Sequence, residues 1–285
     1  MKQITKSILK KVYKSTRNPQ AHKGNFGKVL IIGGNEKYTG AAGLNALSAL
    51  AVLKSGSDLV EVASPERSAN IIAKFSPDLI TIPLDGKHLK TKHLKKLLKE
   101  SETANAFVIG SGLGREKETQ KTIRKFLKKV KIPGVIDADA IYALSKKSKK
   151  PDLKSTILTP HKREFENLTN EKLSEDLNKK AKQVKEQAEK LKSTILLKGK
   201  TDIISDGRET RINKTGNAYM TKGGTGDVLA GLTAGILSQG NNHIESGSAA
   251  AYINGKAGDN LAKTKKQTLL ASDLIEEIEK IITKH

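Results

Sequence analysis

A chain of 285 residues is long enough for one large α/β domain or two small ones, and its 52 Lys+Arg against 30 Asp+Glu give a formal charge of +22. Cysteine is absent, which excludes a disulfide framework and any thiolate-bound metal, and no apolar run is long enough to cross a bilayer or to act as a secretory leader. Aromatics are 4% of residues, Trp is missing and the lysines are spread along the chain, so the charge reads as a solvated surface, with a cytoplasmic setting and neither nucleic acid nor membrane as partner.

Residues 1–28 hold eight basic side chains and no acidic one. Ile4, Ile8, Leu9 and Val12 give a short amphipathic helix, expected to dock on the domain, since transit peptides prefer Arg and Arg17 stands alone. Lys28–Gly34, KVLIIGG, is an apolar run closed by two glycines, as in a buried parallel strand. A polar loop at Asn35–Gly40, a helix over Ala41–Lys54 and a strand over Leu59–Ala63 follow.

The alternation then repeats: a helix over Pro65–Phe75, a strand over Asp78–Leu84, a lysine-rich helix over Lys87–Glu100, and a strand over Ala106–Ile109. That strand runs into Gly110-Ser111-Gly112-Leu113-Gly114, which is G-x-G-x-G and not the dinucleotide fingerprint G-x-G-x-x-G. A helix over Glu116–Lys131, a strand over Gly134–Asp137 and a short helix near Asp139–Leu144 come next. The strand Thr156–Leu158 ends in Thr159-Pro160-His161, which puts His161 either at the carboxyl edge of the sheet, where ligands collect, or at the cap of the helix containing Glu164, Phe165 and Leu168.

Leu173–Leu191 is a long polar helix, and Thr194–Leu197 a strand ending in Lys198-Gly199-Lys200-Thr201. Taken alone this is a basic turn, and it is also one that offers charge and backbone donors to a phosphate. Asp202–Ser205 and Thr210–Ile212 form a hairpin around Asp206-Gly207. Ile244–Leu261 is an Ala/Gly-rich helix, and Ser272 caps a last helix to Ile282.

Between them lies Ala218–Gly240, where Gly223-Gly224-Thr225-Gly226-Asp227 opens a small-residue apolar helix. Bare amides at Gly224, Thr225 and Gly226, with the positive end of the helix dipole, make an anion hole. Asp227 in its first turn reads as a cap or as a general base, and spacing leaves both open. There is no Walker A sequence, no G-x-S-x-G and no H-E-x-x-H. Strands alternating with helices throughout predict one α/β domain, three layers deep, with a mostly parallel sheet covered on both faces.

Seven segments in order carry a resemblance: HKGNFGKVLIIGG (His22–Gly34), YTGAAGLNA (Tyr38–Ala46), VIGSGLGR (Val108–Arg115), VIDADAI (Val135–Ile141), ILTPHKREF (Ile157–Phe165), LLKGKTDII (Leu196–Ile204) and KGGTGDVLAG (Lys222–Gly231). Together they resemble the ADP- or ATP-dependent NAD(P)H-hydrate dehydratases of the ribokinase-like superfamily, over nearly the whole chain. The resemblance implies a single dehydratase domain over 1–285 that phosphorylates the C6 hydroxyl of hydrated NADH or NADPH and eliminates phosphate. It implies Mg²⁺ with ADP or ATP as donor, an NAD(P)HX epimerase as a separate partner protein, and a homo-oligomer. It further implies that Ala41, Gly112 or Gly110, His161 and Asp227 meet the hydrated dinucleotide. Lys198, Gly199, Lys200, Thr201, Asp202 and Gly226 would line the adenine-nucleotide site, and Asp227 would be the catalytic base. The nearest rival is a hydroxymethylpyrimidine or hydroxyethylthiazole kinase sharing the GGTGD-type turn; a nucleic-acid binder using the lysines is a rival of another class.

Overall fold

The computed structural model describes residues 1–13, 17–145 and 150–284. Its centre is a ten-stranded sheet in the order β1-β10-β9-β8-β7-β6-β5-β2-β3-β4. These strands are β1 (Lys2–Gln3), β2 (Lys28–Ile32), β3 (Leu59–Pro65), β4 (Ile80–Leu84), β5 (Ala106–Ile109), β6 (Gly134–Ile136), β7 (Thr156–Leu158), β8 (Thr194–Leu197), β9 (Asp202–Ser205) and β10 (Thr210–Asn213). All neighbours from β8 through β4 pair in parallel, while β9 is antiparallel to both β8 and β10. Strands buried on both faces need continuous apolar runs, and β2, β5 and β8 supply them.

Helices cover both faces, as expected. On one side α1 (Ser7–Val12), α2 (Thr39–Lys54), α3 (Glu66–Ile72), α9 (Thr225–Ser238), α10 (His243–Ala262) and α11 (Ala271–Thr283) share one core. On the other, α4 (Leu94–Ser101), α5 (Lys117–Lys129), α6 (Ala138–Ala143), α7 (Lys162–Thr169) and α8 (Leu177–Leu191) share a second. There Phe107 and Phe126 meet edge to face, with ring centroids 5.4 Å apart.

The chain leaves β2 in one direction to β3 and β4, then returns to lay β5 on the other flank of β2. That reversal opens a crevice at the carboxyl ends of β2 and β5, the place where open α/β sheets bind ligands. Gly34 N–H donates to Ser111 O across it at 2.8 Å. α9 lies against α2 and points its N-terminus toward this crevice. The close crossing depends on Gly231, where a Cβ would collide with the Ser48 carbonyl oxygen of α2.

Three expectations need correction, and one strand was not expected at all. The segment from Lys87 has only a single 3-10 turn (Thr91–His93) before α4 starts at Leu94, and α8 starts at Leu177 rather than Leu173. The α8 start is set by Asp176, whose Oδ1 accepts from Lys179 N–H at 2.9 Å. Ser272 does not cap α11; it lies inside the helix, and Asp273 accepts the Leu270 N–H at 2.8 Å. β1, two residues long and without an apolar pattern, precedes the docking helix and pairs in parallel with β10.

Gly231→Val tests the α2–α9 crossing. Overpacking against a backbone carbonyl costs about 3 kcal/mol, and thermal unfolding falls by roughly 5–10 °C.

Candidate active site

α9 begins at Gly224, whose φ of +97° is the left-handed conformation that a residue without a Cβ adopts freely. Thr225, Gly226 and Asp227 form its first turn, and no side chain caps it. The Thr225 N–H reaches Lys222 O at 3.5 Å, so the amides of Gly224 and Gly226 are the open ones of the expected anion hole. Asp227 lies in the first turn, where its carboxylate takes a bond from its own backbone N–H. Its Oδ1 also accepts a hydrogen bond from Ser111 Oγ, which crosses from the loop after β5.

Burial pushes the Asp227 carboxyl up to about 6, and the nearby Asp137 carboxylate adds to the rise; Ser111 and the Lys198 ammonium oppose it. Lys198, at the end of β8, donates to Asp137 Oδ1 at 2.8 Å, and Thr159 Oγ1 donates to the same oxygen at 2.8 Å. Burial alone would lower the Lys198 pKa, but Asp137 and Glu164 outweigh it and hold the ammonium above the usual lysine value. A Cβ added at Gly226 would lie 3.4 Å from Lys198 Nζ, so this cation rests directly against the α9 N-terminus. One protected position thus gathers two carboxylates, one ammonium, a hydroxyl and open amides.

A cavity of about 980 Å³ adjoins this cluster, lined by Lys198, Gly199, Lys200, Thr201, Asp202 and Gly226 together with His161 and residues of α9 and α10. Within the basic turn, Asp202 ties the backbone: its Oδ1 accepts the Gly199 N–H at 3.0 Å and its Oδ2 accepts from Asn213 Nδ2 at 3.0 Å. The Gly199 donor expected for a phosphate is therefore already used inside the protein. Burial raises the Asp202 carboxyl to about 6.

His161 does both of the things left open for it. Its Nδ1 accepts the Glu164 N–H of α7 at 3.1 Å, closing a capping box with Glu164 Oε2, and its half-exposed ring edges the cavity. Ala41 and Gly112 sit together, packed so closely that a Cβ on Gly112 would overlap that of Ala41, and Gly112 follows directly on Ser111, the partner of Asp227. Gly110 is held against the backbone carbonyl of Asp137, which leaves no space for a side chain there. A second cavity of about 810 Å³ continues past His161 and Lys198 to Arg115, whose guanidinium stacks 4.3 Å from the Tyr142 ring.

Sequence reasoning assigns no role to Ser111 or Asp137. The contact of Ser111 with Asp227 joins residues 116 apart in sequence, and only the switch-point position of its loop signals it. Asn45 steadies that loop by donating to Ser111 O at 3.2 Å and Ala41 O at 2.8 Å.

The model of one family, described as NAD(P)H-hydrate dehydratase, matches residues 29–280. The chain belongs to the NAD(P)H-hydrate dehydratase family. An ADP-dependent (S)-NAD(P)H-hydrate dehydratase of Nitrosopumilus maritimus is 36% identical over 289 residues, covering 99% of this chain and 96% of that protein. A bifunctional NAD(P)H-hydrate repair enzyme of Pyrobaculum aerophilum is 41% identical over 272 residues. That match covers 95% of this chain and 53% of the relative, so the chain spans about half the length of the bifunctional relatives. Among solved structures, the ADP/ATP-dependent NAD(P)H-hydrate dehydratase of Bacillus subtilis, co-crystallised with ATP/Mg²⁺, superposes with a TM-score of 0.80 at 26% identity, covering 97% of this chain and 96% of that one. A Pyrococcus horikoshii hydroxyethylthiazole kinase, TM-score 0.61 and 16% identical, shares the fold of this dehydratase-family chain.

The raised Asp227 pKa predicts a pH-dependent cost. A folded-state carboxyl that holds its proton up to about pH 6 loses stability as pH rises from about 4 through 6, and the loss persists above. Asp227→Asn should therefore be more stable than the parent by about 1–3 kcal/mol at pH 8 and equal to it near pH 3, measured by urea unfolding at both pH values. The similarly raised Asp202 carboxyl is present in both proteins, so its effect cancels.

Proposed function

We propose that this chain, with residues 1–285 acting as one dehydratase unit, restores hydrated NADH and NADPH to the reduced cofactors at the cost of ADP or ATP. The observation that carries this is the Asp227 carboxylate in the first turn of α9, beside the open Gly224 and Gly226 amides and the Lys198 ammonium. Hydroxide on C6 of the hydrated ring is a poor leaving group. Asp227 accepts the hydroxyl proton as that oxygen attacks the terminal phosphorus of the nucleotide, which leaves as the shortened nucleotide. The ring nitrogen lone pair then expels phosphate from C6, C5 loses a proton, and the C5–C6 double bond returns.

Each neighbour has a part in this. The Gly226 amide and Lys198 meet charge on the phosphoryl group in flight, where a protected site makes such contacts strong. Lys198, Lys200 and Thr201 line the cavity that would take the nucleotide, with Asp202 holding the turn. Ala41, Gly112 and His161 would face the dinucleotide, whose remaining length has the Arg115–Tyr142 cavity beyond His161 to run into.

Among the described residues no three His, Asp or Glu side chains form a metal cage. The donor set fits Mg²⁺ carried chiefly by the nucleotide phosphates, with Asp137 offering it a protein oxygen and Asp227 left for the proton. When bound it would neutralise charge between the phosphates. ADP is the favoured donor because a relative matched over 96% of its own length is named as ADP-dependent. An NAD(P)HX epimerase activity, converting the other hydrate epimer, is the expected pathway partner.

The test is recovery of the reduced-nicotinamide absorbance from enzymatically hydrated cofactor, run with ADP and ATP in parallel and with hydroxymethylpyrimidine and hydroxyethylthiazole as phosphoryl acceptors for comparison. Absence of recovery with both donors, or faster phosphorylation of a thiamine precursor, overturns the proposal. Asp227→Asn should keep nucleotide binding while turnover drops about 10²–10⁴-fold.

A further inference from the structure

The wall of the 980 Å³ cavity carries one polar group that the dehydration chemistry leaves unused. Asn254 lies on α10, one turn on from Ala251 and next to Gly255, and all three line the cavity. It is 7% exposed, yet its Oδ1 has no hydrogen-bond partner, and no bond to its Nδ2 is formed among the described residues. Buried amides are nearly always paired, because each bare donor or acceptor has given up water for nothing. Asn213 shows the usual outcome nearby: its Nδ2 donates to Asp202 Oδ2 at 3.0 Å and Ala251 O at 3.1 Å.

Besides Thr215, Asn217 and Thr221, whose side chains are bonded within the protein, the cavity is lined by residues of two further kinds. Lys198, Lys200 and the open Gly226 amide suit a polyphosphate. Leu229, Met220 and Ala251 are apolar, and among them Asn254 is the side chain with an unspent donor and acceptor. An aromatic base that fills the apolar part therefore meets one carboxamide with its bonding groups still free, since that of Asn217 is already spent on Asp259 and the Tyr219 N–H.

We propose that Asn254 reads the base of the donor nucleotide, its carboxamide pairing with the 6-amino group and N7 of adenine. This rests on the nucleotide assignment made under the proposed function and adds to it the group that selects the base. A carboxamide offers one acceptor and one donor side by side, which matches the amino donor and ring-nitrogen acceptor of that adenine edge. The same edge of a 6-oxopurine presents two acceptors, so the amide oxygen would stay unpaired there. A site built to satisfy one pattern rejects the other through the group it leaves bare.

Calorimetric titration of ADP and IDP into the wild-type chain and into Asn254→Leu, with thermal melts of both, tests this. The wild type should bind ADP tighter than IDP by roughly ten- to a hundredfold, the worth of one bidentate base contact. Asn254→Leu should lose that factor for ADP, leave IDP nearly unchanged, and melt at a higher temperature, since an unpaired buried amide has gone. A merely structural asparagine would instead lower the melting temperature and weaken both nucleotides alike. Asn254→Ala gives the same affinity readout with a smaller side chain should leucine not be accommodated. Equal wild-type affinity for ADP and IDP, or an ADP preference that survives in both variants, overturns the inference. A wild type that binds neither ADP nor ATP overturns the nucleotide assignment itself, and shows it before any variant is made.

Discussion

Two carboxylates and one ammonium compete for a small desolvated volume at the mouth of α9, and the site depends on how that competition is resolved. Asp137 and Asp227 repel one another and both resist burial; Lys198 bonds to the first and lowers the cost of the second. If the lysine were lost, the unpaired Asp137 charge would be costly. The surplus on Asp227 is left as basicity. A carboxylate that ordinarily ionises near 4 is moved toward the pH at which a base is useful, without any group dedicated to that task.

The sheet order is what brings the three together. Asp137 follows β6, Lys198 follows β8, Ser111 follows β5, and these parallel strands all end on the same edge. A parallel sheet with crossovers on alternate faces stacks every strand-to-helix loop at one rim. α9 is threaded against that rim from the far end of the chain, and its glycines let it approach closely enough for the Ser111 hydroxyl to reach Asp227. Its apolar face is a broad band of small residues facing α2 and α10, so the reactive end is fixed by packing, not by loops.

Much of this was legible in the residues themselves. Apolar runs ended by glycine mark β2 and β5, the spacing of Ile4, Ile8, Leu9 and Val12 marks α1, and the glycine turn before Asp227 marks a helix start with bare amides. What was not legible was mostly a matter of contacts between distant segments. Nothing near Ser111 announces a partner 116 residues away, and nothing in Lys-Gly-Lys-Thr says that the glycine amide is already bonded to Asp202. Asn254 was hidden in an Ala/Gly-rich helix whose composition signals packing alone. β1 has two polar residues and no period at all; only the open edge of β10 gives it a reason to be a strand.

That short strand has a consequence for how the molecule is made. Lys2 and Gln3 bond to Arg211 and Ile212, α1 packs on α10, and Lys6 Nζ reaches the Lys284 carbonyl at 2.8 Å. The partners of this strand therefore lie roughly two hundred residues away along the chain, and the entropy of closing so long a loop has to be met before the pairing forms. The lysine surplus of residues 1–28 and their lack of long apolar stretches keep the segment solvated until then, so the same charge that plays little part in the chemistry guards an unpaired edge.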